Sequence, residues 1–463
     1  MKQIIWVFLG VLIGASSVLG DEKLKSWQAG VAKVVITPKQ PMWMSGYANR
    51  NKPAEGKVHD LWAKALVIQD ANGKKCVIVT ADLVGINRKL SKSVCDRLQA
   101  KYGFDRDGIM IAVSHTHCGP VVGCNLSTMY FLDEGQQKRV DDYAKELQSN
   151  LVKVVGVALK DLSPAELSWG NGLVTFATNR RTNREAQVPE LRKVGKLKGP
   201  RDHQVPVLAV RDLKGHLRSV VFGYACHATT LSFYQWCGDY PGFAQVALEK
   251  EYPKAVAMFW AGCGGDQNPL PRRSLALAKK YGDELAEGVS AVLRAPMRQV
   301  PPCLRMSYQE IDLRLAELPS REVLARDLLS KNRFVRSRGK FLLEKLTIQG
   351  NLPKSYPYPI QTWQLGSDLT WVALGGEVVV DYSLRLRREL GPCWVAGYAN
   401  DVMAYIPSLR VLKEGGYEGG GAMVYYGMPG VWSPEVESQI VDAVTMQVKG
   451  LRRTMSPKKK RGL

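Results

Sequence analysis

Five short runs of apolar, mostly branched residues each stop at glycines or at side chains able to do chemistry. Ile109-Met110-Ile111-Ala112-Val113 leads into Ser114-His115-Thr116-His117-Cys118-Gly119-Pro120, and residues 220–226 lead into His227. Residues 257–260 precede Gly262-Cys263-Gly264-Gly265-Asp266-Gln267-Asn268-Pro269, and residues 371–374 precede Gly375-Gly376-Glu377. The run at 394–397 precedes Asn400-Asp401 and Tyr405. Such runs are too brief for buried helices and branched enough for interior strands. In sheets covered by helices, ligands collect beyond the carboxyl ends of strands. Taken singly, the glycines make turns, and a lone histidine or glutamate serves structure. Together the five ends read as one composite site.

Two of these runs are expected as strands over 219–224 and 369–374, and further strands are expected at 65–68, 76–80 and 207–210. Helical periodicity marks 92–101, 137–160, 242–251, 275–293, 320–346 and 435–451. This alternation predicts an α/β fold: a mixed, largely buried β-sheet core flanked by helices, with a metal site at the strand ends. The segment at 320–346 is basic and amphipathic and reads as one solvated helix, with an inserted helical pair or lid as the alternative. If the strand at 109–113 runs on, His115 and His117 share one of its faces. On that pattern alone, a metal pair and a hydrogen-bonded surface pair stay equally open.

Met1-Lys2, an apolar run at 4–13 and the small residues before Asp21 read as a secretory signal peptide over 1–20. Its apolar part is too short for a spanning helix of about 20 residues. The protein is therefore expected to be secreted or periplasmic, with one domain over 25–450 and a basic disordered tail over 451–463. The charge, 64 − 43 = +21, favours anionic membrane or envelope surfaces. No motif of interleaved aromatic and basic residues points to nucleic acid. The nine cysteines follow no zinc or framework spacing, so their pairing is open.

In chain order the sequence carries Ala29-Gly30-Val31, Ile36-Thr37-Pro38, Ser45-Gly46-Tyr47-Ala48, the 115–120 segment, His227, Gly265-Asp266 through Pro269, Gly376-Glu377, and Asn400 through Tyr405 to Tyr417-Glu418-Gly419. This ordered set resembles the amino-terminal catalytic domain of the neutral/alkaline non-lysosomal ceramidase family, over roughly residues 29–445. The resemblance implies a zinc-dependent amidohydrolase acting on an N-acylated lipid or other amide through zinc-activated water. It implies one Zn2+ per chain, held by His115, His227, Glu377 and Tyr405. Two imidazoles and a carboxylate suit zinc and leave a position for water. Tyrosine is an unusual ligand, since its phenol ordinarily titrates near about 10. The resemblance further implies His117 as the proton carrier, Tyr417 as a donor to the oxyanion, and Asn268 and Gly46 on the substrate side.

Three departures stand out. Asn268 occupies the serine position of the family's Gly-Asp-x-Ser-Pro, and an amide cannot serve as a nucleophile. Val35 replaces an acidic residue before Ile-Thr-Pro, and the family's carboxyl-terminal immunoglobulin-like domain is not expected after the helix at 435–451. The substrate is therefore left open between ceramide and a non-sphingolipid amide such as an N-acylated amino sugar. A noncatalytic envelope-binding protein that retains the fold is the reading from another class.

Overall fold

The computed structural model describes residues 26–453; the expected signal peptide and most of the basic tail lie outside them. Residues 451–453, expected to begin that tail, instead end the helix Val436–Arg453.

Alternation along single strands explains the layering. In Trp62–Gln69, Ala63, Ala65 and Val67 enter one buried core while Leu66 and Ile68 enter another. Val77 and Val79 part from Cys76 and Ile78 in the same way, as do Ile109 and Ile111 from Met110 and Ala112. A strand whose two faces are both apolar must lie inside a layered fold.

These strands belong to a nine-stranded mixed sheet. Its order is Val256–Ala261, Leu217–Tyr224, Gln204–Asp212, Ser163–Leu173, Trp27–Val35, Trp62–Gln69, Lys75–Ala81, Ile109–Val113, with Arg298–Gln299 added beside Ser163–Leu173. Only the first and last pairs in that order are parallel. A second sheet runs Leu304–Arg314, Ser355–Leu365, Leu369–Leu374, Cys393–Ala396.

The two sheets pack face to face around a cluster of tryptophans. Trp371 lies 5.3 Å from Trp260 and 5.5 Å from Trp394, ring centre to ring centre. Helices Arg88–Tyr102, Glu134–Lys160, Asp239–Glu251 and Leu275–Arg294 cover the outer face of the large sheet. Asp381–Leu390 and Val436–Arg453 cover the small one. The order is helix, sheet, sheet, helix, a mixed α/β fold as expected from the sequence.

Four long strands escape the sequence reading: Trp27–Val35, Ser163–Leu173, Leu304–Arg314 and Ser355–Leu365. The middle two carry Glu, Arg, Gly or Asn between their apolar residues, so no continuous hydrophobic run marks them. The segment at 320–346 is also corrected. It forms two helices, Arg321–Asp327 and Arg333–Gln349, each started by a side-chain cap, from Ser320 onto the Val323 N–H and from Asn332 onto the Phe334 N–H. The second cap, at Asn332, ends the continuity that the amphipathic pattern suggests.

All nine cysteines carry free thiols. Among the described residues, no helix is long and apolar enough to cross a membrane.

Candidate metal centre and active site

The chain leaves its strand at Val113, and His115 adopts a left-handed backbone with φ 59°. Strand alternation therefore does not bring His115 and His117 together, contrary to the sequence expectation. The turn does it, placing the two Nε2 atoms 3.1 Å apart. His227 sits beyond the strand Leu217–Tyr224, its backbone N–H donating to the Gln267 carbonyl at 3.0 Å. Glu377 and Tyr405 are register partners in a short parallel ladder, Glu377–Val378 beside Tyr405–Ile406. That pairing sets a carboxylate next to a phenol although 28 residues separate them in the chain (405 − 377).

Close backbone approach brings the loops together. A Cβ on Gly265 would come 2.6 Å from the Glu377 carbonyl, so only glycine fits there. Asp266 beside it is buried, accepting from the Val380 N–H at 3.0 Å and from Asn179 Nδ2 at 2.9 Å. Asp266 thus acts as a strut between loops.

At the centre, His115 Nδ1 faces the Val84 carbonyl at 2.5 Å and His227 Nδ1 faces the Gly264 carbonyl at 2.6 Å. Each ring therefore donates its Nδ1–H to backbone and turns a lone pair on Nε2 inward. The two Nε2 atoms lie 3.1 and 3.0 Å from Glu377 Oε2. With both imidazoles neutral, three lone pairs meet at this point, an arrangement that a cation relieves. Tetrahedral zinc with nitrogen and oxygen bonds near 2.0–2.1 Å would set its ligand atoms about 3.3 Å apart. The donor set fits a divalent metal. The inward nitrogens of His115, His117 and His227 also lie within 4.8 Å of one another, so a three-histidine group is within reach of the same ion.

Burial and the nearby Arg180 charge push the His227 imidazole down to about 4, which keeps it neutral at physiological pH. Burial, helped by His115 and His227, holds His117 well below the usual histidine range. Burial and the Glu377 charge raise the Tyr405 phenol well above 10. Its oxygen lies 3.1 Å from His227 Nε2 and accepts from Arg180 Nη2 at 3.0 Å.

All eight sequence-predicted residues occupy this neighbourhood, at different ranks. His115, His227, Glu377 and Tyr405 converge directly. His117 adjoins His115. Tyr417 lies at the rim, 44% exposed, its ring 5.3 Å from that of Tyr405. Asn268 is buried, and its Oδ1 accepts from Arg180 Nη1 at 3.2 Å and Thr229 Oγ1 at 3.3 Å. Gly46 lies against the His117 ring.

Sequence reasoning missed Arg180, Tyr426 and Tyr398. Arg180 ties Tyr405 and Asn268 to Glu418, whose Oε1 accepts at 2.7 Å. The Tyr426 hydroxyl donates to Glu377 Oε1, and the Tyr398 ring packs 4.3 Å from His115. The only hint of Arg180 was a second arginine beside it, and nothing in the sequence marked which tyrosines point inward.

Residues 27–269 match the family described as neutral/alkaline non-lysosomal ceramidase, N-terminal. The chain belongs to this ceramidase family. It is similar to neutral ceramidase of Pseudomonas aeruginosa, 29% identical over 216 residues, covering 44% of this chain and 31% of that protein. It is also similar to neutral ceramidase of Drosophila pseudoobscura pseudoobscura, 26% identical over 258 residues, covering 53% and 36%. The chain thus spans about a third of these relatives' length. The family's fold is recovered over nearly all of it: a crystal structure of the Pseudomonas aeruginosa neutral ceramidase superposes with TM-score 0.72, at 19% identity, over 94% of this chain and 75% of that one. A structure described as ceramidase complexed with C2 gives 0.71 at 20% identity, over 95% and 77%.

Proposed function

We propose that this member of the ceramidase family is a zinc-dependent amidohydrolase, acting outside the cytoplasm on an N-acyl linkage. The convergence of His115, His227, Glu377 and Tyr405 from distant segments on one buried point carries the reading. One zinc per chain, held by those four side chains, would lower the pKa of a bound water and polarise the scissile carbonyl.

The chain's own residues supply the rest. His117, neutral and next to the ligand set, accepts the proton of the attacking water and returns it to the leaving nitrogen. The Tyr417 hydroxyl, at the rim, donates to the oxygen on which negative charge develops. Arg180 holds Tyr405 and Asn268 in place through hydrogen bonds of 3.0 and 3.2 Å. Asn268 offers no nucleophile and serves substrate recognition, and Gly46 keeps room for the His117 imidazole. The names of the relatives make ceramide the first substrate to try, and Asn268 in the serine position makes an N-acylated amino sugar the second.

Metal analysis of purified protein, combined with hydrolysis assays on ceramide and on N-acetylated sugars, tests the reading. Stoichiometric zinc with release of fatty acid is the expected result. Metal-free protein that binds envelope polymers without hydrolysing any amide would favour the noncatalytic reading instead.

A further inference from the structure

The pair of helices Arg321–Asp327 and Arg333–Gln349 takes no part in the chemistry above, and its turn is unusual. Leu324, Leu342 and Leu352 form a small core that holds the pair together. Residues 321–349 carry eight cations and three anions, a net +5. At the turn Leu328 is 40% and Leu329 is 86% exposed, beside exposed Arg326, Lys331 and Arg333.

The turn is braced. Arg336 donates to the Ser330 and Lys331 carbonyls at 2.5 and 3.1 Å. Arg338 donates to the Met428 and Pro429 carbonyls at 2.8 and 2.7 Å, fixing the pair to the loop that follows Tyr426.

From this turn a row of rings leads to the candidate site. The Arg333 guanidinium lies 4.2 Å over Phe131, which is 44% exposed. Phe131 lies 5.8 Å from Phe334, Phe334 5.0 Å from Tyr425, Tyr425 6.2 Å from Tyr417, and Tyr417 5.3 Å from Tyr405. A single exposed leucine is ordinary on a folded surface. Two adjacent ones on a braced turn, with exposed cations at 326, 331 and 333 and a row of rings starting at Arg333, are not.

We propose that the turn at residues 328–333 docks the protein on an anionic phospholipid surface. Leu328 and Leu329 enter the boundary between headgroups and acyl chains, and the surrounding cations face the headgroups. Docking there brings a membrane-borne lipid amide to the side of the protein where the row of rings begins. This last part rests on the amidohydrolase reading, whereas the docking does not. An acidic protein or a polyanion would engage the cations and leave the leucines idle, so the leucines decide between occupants.

Flotation of the full chain with phosphatidylglycerol-containing vesicles and with phosphatidylcholine vesicles tests the proposal. Binding to the first and little to the second is expected, weakening with salt. The double variant Leu328→Ser/Leu329→Ser should lower partitioning about tenfold with an unchanged melting curve. It should hydrolyse a water-soluble short-chain amide like the parent and a vesicle-embedded one more slowly. Arg326→Glu/Lys331→Glu should lower partitioning at least as much. Parent-like vesicle binding by the leucine variant would overturn the proposal, as would loss of binding only when residues 454–463 are removed. Normal docking without hydrolysis of any amide would leave the docking standing and sink the amidohydrolase reading.

Discussion

Gly46 and His117 share a space that admits only one of their side chains: a Cβ on Gly46 would lie 2.4 Å from His117 Nδ1. Gly46 has φ +98°, and its N–H donates to the Tyr130 hydroxyl at 2.9 Å, so its backbone is anchored in a conformation other residues avoid. His117 Nδ1 is buried without a hydrogen-bond partner, so packing positions this ring, including the edge of Tyr47 at 4.8 Å. Gly46→Ala should therefore tilt the imidazole and spare the metal ligands. Turnover is expected to fall about 100-fold, since small misplacements of a catalytic group cost that much. Metal content should be unchanged; kcat and metal analysis on one preparation check both halves.

The proposed ligands and the proposed proton carrier should separate under substitution. His115→Ala or His227→Ala removes an inward lone pair beside Glu377 Oε2 and should abolish metal retention after dialysis together with activity. His117→Ala should keep the metal and lose roughly 10²–10⁴-fold in turnover, the usual loss on removing a general base. Equal loss of metal in the His117 variant would make it the third imidazole of a three-histidine group, which its position also allows.

Much of the convergence could be read from the sequence because the side chains that meet follow strands whose apolar runs are unmistakable. Ile109–Val113 and Leu369–Leu374 are buried at every position, so their ends stand out against the polar turns. The resemblance to the ceramidase family supplied the pairing of Glu377 with Tyr405, which no local pattern reveals. Leu304–Arg314 gave a weaker signal, because Gln309-Glu310 break its alternation and no continuous apolar run marks it. Arg180 was hidden for another reason. An arginine reads as surface by composition, and only the fold brings Tyr405, Asn268 and Glu418 to it from other segments. The convergence of His115 and His117 was anticipated correctly for a mistaken cause, since a left-handed turn produces it.

Asn268, proposed to serve substrate recognition, should separate substrate choice from chemistry. Its Oδ1 accepts from Arg180 and Thr229, and serine is too short to take both. Arg180 keeps Glu418 and Tyr405 as partners, so Asn268→Ser should fold and bind metal normally. The expected change is in KM and in the ranking of ceramide against N-acylated amino sugars, with kcat on a good substrate altered only a few-fold. A variant that loses its metal would show that Asn268 supports the ligand set instead.

Asp401 provides a stability test independent of activity. It is buried, its Oδ2 accepts from the Tyr356 hydroxyl at 2.5 Å, and its Oδ1 is unpartnered. Burial pushes this carboxyl up from 3.8 to about 7, even though the Tyr356 hydrogen bond and Arg88 pull it down. Between those values the folded protein holds a proton that the unfolded chain has released. Stability therefore falls as pH rises from about 4 to about 7, and the contribution is fully present only below that window. An asparagine has no proton to lose, so Asp401→Asn should flatten this part of the profile. Above pH 7 the variant should exceed the parent by up to about 4 kcal/mol, taking 1.36 kcal/mol per unit as the ceiling. Denaturant unfolding of both proteins at pH 5 and pH 8 measures the difference. A gap that does not widen between the two would mean that Asp401 is ionised in the fold.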